Sequence, residues 1–259
     1  MEVMHSGSGE LDAPAEVSPL DDFVAHGMVE ADGVSRNAAS GGRGGNPSSS
    51  VRPLDPRNAL TIVSGLPRSG TSMMMQMLAA AGLPIASDGR RAADEDNPRG
   101  YYELEAVRRL REDASFVAGR VGQTVKVIAP LLPFLPADYD YRVVFMERDL
   151  QEILDSQRAM LSRTGQGDHV MDDEALGPAF SRQLSKVKCW IDQRDNLRTC
   201  FVSHRQALAH PTEISAVVVS FLEETGALAD ELNGAETRCV LRQRMAAVVE
   251  PGLHRQRMA

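Results

Sequence analysis

The sequence predicts an α/β protein in which helices cover both faces of a mainly parallel sheet. Short apolar runs rich in β-branched residues alternate with longer stretches of helical periodicity. A short apolar run without polar alternation is typical of a strand that is buried on both faces, as in parallel sheets. Four runs meet this description, at residues 60–63, 124–128, 141–146 and 197–203. Alternation with right-handed crossovers then brings the carboxyl ends of these strands to one edge of the sheet.

The predicted helices follow from the spacing of apolar residues. A methionine-rich helix at 71–81 comes directly after the first strand, and we expect its methionines to fill the core. A proline opens the helix predicted at 211–224, with Thr212 as its cap. The other predicted helices lie at 101–118, 150–161, 174–196 and 235–249.

Composition indicates one folded domain with an N-terminal extension. With 259 residues, of which 42% are hydrophobic and 25% charged, the chain can bury one good-sized core. Residues 1–57 are rich in Gly, Ser, Ala, Asp and Pro and carry few large apolar side chains, which predicts disorder. We therefore expect a disordered extension at 1–57 and a single domain at 58–259.

The net charge of −8 argues against a nucleic-acid or anionic-membrane partner. No stretch is long and apolar enough for a membrane span, and the start lacks the pattern of a signal peptide. Cys189, Cys200 and Cys239 are widely separated without metal-ligand spacing, so we expect reduced thiols. These features favour a soluble, cytoplasmic protein, and nothing in the sequence indicates its oligomeric state.

The stretch GLPRSGTS, residues 65–72, joins the first strand to the first helix and predicts an anion-binding loop. Gly65 and Gly70 bracket the turn, where glycine can adopt backbone angles closed to other residues and lets a ligand approach the chain. The amides from Ser69 to Ser72 and the positive end of the helix dipole then face any anion in the loop.

One position in this loop weakens the case for nucleoside triphosphate hydrolysis. The nucleotide-binding pattern GxxxxGKS or GxxxxGKT has a lysine for the β- and γ-phosphates, whereas this chain has Thr71 there. Positive charge lies instead at Arg68, whose guanidinium fork suits a pair of phosphate or sulfate oxygens. A strand-to-helix turn without a ligand is the alternative, and the cation and three hydroxyls of PRSGTS argue against it.

GLPRSGTS resembles the 5′-phosphosulfate loop of the sulfotransferase family, and its arginine form is most similar to the tyrosylprotein and bacterial branches. The resemblance implies a P-loop NTPase-like three-layer α/β/α fold. It also implies 3′-phosphoadenylyl sulfate (PAPS) as the sulfuryl donor and 3′,5′-adenosine diphosphate (PAP) as the product. The residues that it assigns to the 5′-phosphosulfate are Pro67, Arg68, Ser69, Gly70, Thr71 and Ser72.

A second pair of residues matches the same family. Arg148 follows the third predicted strand at its carboxyl end, where open α/β sheets bind ligands, and Ser156 lies eight residues later. In sulfotransferases an arginine and a serine at this spacing hold the 3′-phosphate of PAPS, so the resemblance assigns Arg148 and Ser156 to that group. Without other evidence, Arg148 would be interpreted as a solvated arginine and Ser156 as a helix serine without a function. The PRSGTS loop upstream favours a role for both residues in binding the 3′-phosphate.

Transfer of a sulfuryl group to a hydroxyl or amine requires a general base for the acceptor's proton. The cytosolic branch uses a histidine between the two PAPS elements, and this chain has none between Gly65 and Arg148. Glu103 resembles an acidic helix residue of the tyrosylprotein branch, and this resemblance assigns the role of general base to Glu103. An acid at the start of a helix, where it complements the helix dipole, is an equally good interpretation of Glu103. Rival bases lie in the charged loop at 83–100, namely Asp94, Glu95 and Asp96.

Two further basic residues belong to the predicted site. Lys126, on the second strand, is expected to approach the sulfuryl oxygens, since a lysine in a buried sheet otherwise needs a carboxylate partner or a route to solvent. Arg255 is assigned to the 3′-phosphate by resemblance to basic residues near the C-terminus of the family, although the family's RKGxxGxW pattern is absent.

The acceptor class stays open among a small molecule, a carbohydrate and a peptide. A P-loop kinase or nucleotidase is one alternative function, disfavoured by Thr71 and by the lack of a metal-binding aspartate at the end of the second strand. A catalytically inactive PAP-binding module is another.

Overall fold

The computed structural model describes residues 52–90, 100–163, 173–228 and 234–250, which contain a four-stranded parallel sheet flanked by helices. The strands are β1 (Ala59–Gly65), β2 (Thr124–Lys126), β3 (Asp140–Glu147) and β4 (Leu197–Ser203). The helices are α1 (Thr71–Ala80), α2 (Glu105–Arg108), α3 (Leu150–Arg163), α4 (Asp173–Asp192), α5 (His204–Ala209), α6 (Pro211–Glu224) and α7 (Ala235–Ala247). Among these helices none combines the length and the apolar character needed to cross a bilayer.

The strand order is β2-β1-β3-β4, and every neighbouring pair is parallel. A single parallel bridge between Ile85 and Thr124 adds a position outside β2. The chain that leaves β1 therefore moves to one side of the sheet, whereas the chain that leaves β3 moves to the other side. Divergent connections of this kind open a crevice between the carboxyl ends of the two strands, and ligands of open α/β sheets bind there.

Helices cover both faces of the sheet because successive strand residues point in opposite directions. Val143 belongs to the same buried apolar cluster as Val187 of α4 on one face, whereas Val144 belongs to a second cluster with Val218 of α6 on the other. The arrangement agrees with three layers, helix, sheet and helix, and confirms the predicted α/β class. The expectation that methionines of α1 fill the core is also confirmed, since three of them are fully buried, namely Met74, Met75 and Met77.

The prediction of one helix at 101–118 is wrong. Only Glu105–Arg108 is α-helical, and a 3₁₀ turn follows at Ser115–Arg120. The apolar residues behind the prediction, Leu104, Val107 and Leu110, are all buried, but Leu104 has an extended backbone. Short turns therefore bury the same periodic residues without a continuous helix.

Smaller differences concern the ends of elements. Thr212 is not the cap of α6, because His210 is the N-cap and Pro211 the first helical residue. β2 ends at Lys126, two residues earlier than predicted, and a 3₁₀ turn with Pro130 at its start follows. The short helix α5 was not predicted, since six residues are too few for a clear apolar period.

Residues just before the predicted domain boundary also contact the sheet. Arg52 Nη2 donates to Asp140 Oδ1 at 2.5 Å, and the Asp55 amide donates to Asp140 Oδ2 at 2.6 Å. Burial of Asp140 opposes its ionisation, but these hydrogen bonds outweigh that effect and hold the pKa of its carboxyl below its usual value. The chain from residue 52 onward is thus attached to the start of β3.

Candidate active site

The loop between β1 and α1 closes tightly around two glycines, with φ of +147° at Gly65 and +94° at Gly70. A Cβ on Gly65 would lie 2.4 Å from Ser69 Oγ and 2.6 Å from the Met146 carbonyl oxygen. A Cβ on Gly70 would lie 2.4 Å from Cδ2 of the His204 ring. The loop conformation therefore requires glycine at both positions.

The substitution Gly65→Ala is expected to destabilise the fold by about 2 kcal/mol or more, because it combines an unfavourable φ with a contact to backbone that cannot move aside. Chemical denaturation measures the effect. Gly119→Ala is the matched control, since a Cβ there meets no atom within 4 Å, and its free energy of unfolding should change by less than about 0.5 kcal/mol. Equal stability of the two variants would contradict the close packing of the loop.

The amides that the loop can present to a ligand do not include that of Ser69, which the sequence predicts among them. The Ser69 amide donates to the Leu66 carbonyl at 3.2 Å, so it is used within the turn. The first bond within α1 runs from the Met74 amide to the Gly70 carbonyl at 3.1 Å, which leaves the amides of Gly70, Thr71, Ser72 and Met73 without a partner in the helix. These amides and the helix dipole favour an anion at this point.

Lys126 lies at the end of β2, where its side chain connects the loop to Glu103. Its Nζ donates to Ser72 Oγ at 3.2 Å and to the Tyr101 carbonyl at 3.0 Å, and it lies 3.4 Å from Glu103 Oε1. The Lys126 side chain is only 9% exposed. The structure thus brings three predicted site residues together, and it places an ammonium group beside the start of α1, where the loop itself has Thr71 in place of lysine.

Arg68 connects the loop to the second pair of predicted residues. Its Nε donates to Ser156 Oγ at 3.1 Å, and its carbonyl accepts from Arg148 Nη1 at 2.8 Å. Arg148 directly follows β3, as predicted, and its side chain is 8% exposed. The residues predicted for the 5′-phosphosulfate and for the 3′-phosphate therefore form one continuous site across the crevice between β1 and β3.

Backbone strain marks the same region. Arg68 and Tyr102, with φ of 66° and 53°, are the two non-glycine residues with positive φ in the described part of the chain. Such conformations cost about 1–3 kcal/mol and occur preferentially at ligand sites. The strained Arg68 offers its carbonyl to Arg148, and Tyr102 separates Glu103 from the carbonyl that Lys126 contacts.

Three residues of the site were not predicted from the sequence, namely Glu152, His204 and Arg205. Glu152 accepts from Arg148 Nε at 3.0 Å and from Arg205 Nη2 at 2.7 Å. Burial of Glu152 opposes its ionisation, but the hydrogen bonds from Arg205 and Arg148 prevail and hold the pKa of this carboxyl below its usual value. His204 and Arg205 directly follow β4, so the strand-end rule that selects Arg148 also selects them.

Some predicted residues lie outside the part of the chain that the structure describes. They are Arg255 and the rival bases of the charged loop, Asp94, Glu95 and Asp96. Comparison of the chain with protein-family models and with curated proteins finds no match. The case for a function therefore depends on the loop motif and on the geometry of the described residues.

Proposed function

We propose that this chain is a PAPS-dependent sulfotransferase of P-loop NTPase-like fold that moves a sulfuryl group to a hydroxyl or amine acceptor. The observation that carries the proposal is the contact of Arg68 with Ser156 and Arg148. These residues belong to two motifs that lie about eighty residues apart in the chain. Folding joins them at the crevice where open α/β sheets bind ligands, which is what a donor with two anionic groups requires.

The described residues fit the two anionic groups of PAPS. The amides of Gly70, Thr71 and Ser72, together with Lys126, suit the 5′-phosphosulfate, and Arg148 with Ser156 suits the 3′-phosphate. The buried hydroxyl of Ser69 has no hydrogen-bond partner among the described residues. Because buried polar groups are normally hydrogen-bonded, this hydroxyl supports a polar ligand in the loop. Arg68 belongs to the loop that supplies the amides, and its contacts with Ser156 and Arg148 connect that loop to the second set of residues.

The chemistry follows from charge and proton balance. The acceptor oxygen or nitrogen attacks sulfur, the bond from sulfur to the bridging 5′-phosphate oxygen breaks, and PAP leaves with the negative charge that develops on that oxygen. Lys126 and the α1 amides are the donors that stabilise this charge. Glu103, 3.4 Å from Lys126 Nζ, accepts the proton that the acceptor loses.

A nucleotide kinase or nucleotidase is the second candidate, and one observation favours it. The Lys126 ammonium beside Ser72 supplies a cation that a triphosphate also needs. An inactive PAP-binding module would have the same donor contacts without turnover, so an assay with PAPS and a panel of acceptors separates it from the enzyme.

Thermal unfolding with PAP in EDTA tests the proposal. PAP at a hundredfold excess over its dissociation constant should raise the free energy of unfolding by about 2.7 kcal/mol without any divalent metal. ATP with magnesium is the comparison ligand and should give the smaller shift. An unchanged Tm at millimolar PAP, together with a clear shift with ATP and magnesium, would favour the kinase or nucleotidase instead.

A further inference from the structure

An arginine follows each of three neighbouring strands at the carboxyl edge of the sheet. Arg68 lies in the loop after β1, Arg148 directly follows β3, and Arg205 is the second residue after β4. The first two belong to the proposed donor site. Arg205 differs in its exposure, since 69% of its side chain is open to solvent.

Glu152 connects Arg205 to the donor site. One carboxylate oxygen accepts from Arg148 Nε at 3.0 Å, and the other accepts from Arg205 Nη2 at 2.7 Å. Two guanidinium groups repel each other, so a carboxylate between them lowers the cost of holding them side by side. Asp149 is the other acid near Arg205, and its Oδ1 accepts hydrogen bonds from the amides of Gln151 and Glu152 at the start of α3. Glu152 is therefore the acid that joins the two arginines.

An exposed arginine and a carboxylate on a protein surface usually contribute little to stability. This pair differs because its carboxylate is 21% exposed and also holds Arg148, whose side chain is 8% exposed. The outer guanidinium is thus fixed next to a buried cation that itself faces the crevice. Two adjacent guanidinium forks are suited to a tetrahedral oxyanion with several acceptor oxygens.

We propose that Arg205 is a specificity-determining residue that, with Arg148, recognises a phosphate monoester on the ribose of the bound nucleotide. The inference rests on the proposed function, because it adds Arg205 to the donor site suggested there. Arg205 selects a 3′-phosphorylated nucleotide over one that lacks this group. Because 69% of its side chain is exposed, the guanidinium can offer its remaining N–H groups to the phosphate while Nη2 keeps its bond to Glu152.

The test compares two nucleotides, PAP and adenosine 5′-monophosphate, by calorimetric titration of the full chain. Arg205→Gln should weaken PAP binding about tenfold and leave binding of adenosine 5′-monophosphate within about twofold, since a hydrogen-bonded charge of this kind contributes on the order of one tenfold step in affinity. Arg205→Lys keeps the charge but not the fork, and it should give an intermediate loss. Arg158→Gln, which removes an arginine paired with Asp155 on the same helix as Glu152, is the control and should bind both nucleotides as the wild type does.

Two outcomes would overturn the inference alone. Unchanged PAP binding in Arg205→Gln would leave this arginine as a surface ion pair, and an equal loss for both nucleotides would place its effect on the loop rather than on the ribose phosphate. Failure of the proposed function looks different, because the wild type itself would then show no preference for PAP. Retention of the wild-type Tm in Arg205→Gln checks that the fold is intact, and Arg205→Lys decides the question if that variant does not fold.

Discussion

Glu103→Gln is expected to lower turnover with PAPS by about a hundredfold to ten-thousandfold, because the amide cannot accept the acceptor's proton. PAP affinity should change by less than about twofold, since Lys126 keeps its contacts with Ser72 and with the Tyr101 carbonyl. Steady-state kinetics with PAPS measures the effect on turnover, and calorimetric titration measures PAP affinity.

The matched control for this substitution is Glu105→Gln, two residues further along. Glu105 lies in the first turn of α2 and pairs with Arg108 at 3.5 Å. Its loss should leave turnover within about twofold, because an exposed ion pair of this kind contributes little to stability and lies outside the proposed catalytic residues. Normal turnover in Glu103→Gln would reduce Glu103 to a partner of Lys126, and a large loss in Asp94, Glu95 or Asp96 variants would then transfer the base to that loop.

Lys126→Met should lower turnover by about a hundredfold to a thousandfold, the usual cost of one donor that stabilises developing negative charge. Methionine keeps the length and apolar character of the lysine stem, so the short strand β2 should persist. The dissociation constant of PAP should rise less than turnover falls, because charge on the bridging oxygen develops mainly in the transition state. Single-turnover kinetics with labelled PAPS separates the chemical step from product release.

Lys186→Met is the control for this second substitution, since Lys186 is exposed on α4 and lies outside the site. It should retain full turnover and full PAP affinity. If Lys126→Met lost affinity and turnover by the same factor, Lys126 would be a ground-state binding residue and not a transition-state donor.

The sheet and the position of Arg148 could be predicted from the sequence, because both follow from local patterns. Apolar runs such as 141–146 predict parallel strands, and a charged residue at the end of such a run must lie at the carboxyl edge. The glycine spacing of GLPRSGTS predicted the turn for a similar reason, since φ at Gly65 and Gly70 is set within the turn itself.

The contacts between side chains could not be predicted in the same way. Arg68 was assigned to the 5′-phosphosulfate, yet its Nε contacts Ser156, a direction that depends on how α3 packs beside the loop. The helix predicted at 101–118 failed because periodicity cannot distinguish one helix from several turns that bury the same residues. Glu152 joins Arg148 to Arg205 only because β3 and β4 are neighbours, which one strand's sequence does not reveal.

The backbone around Glu103 has a consequence for how the acceptor range of such a protein can change. The Glu103 carbonyl accepts from the Asp88 amide and from Ser87 Oγ, each at 3.2 Å, and the Asp88 carboxylate accepts from the Glu105 amide at 2.6 Å. These hydrogen bonds hold the two flanks of residues 89–102 together. For a flexible insertion between such flanks, each doubling of its length would add only about 0.6 kcal/mol of closure cost. We therefore expect that residues 91–99 can be replaced by a sequence of different length without a change in the positions of Glu103, Lys126 and the anion loop.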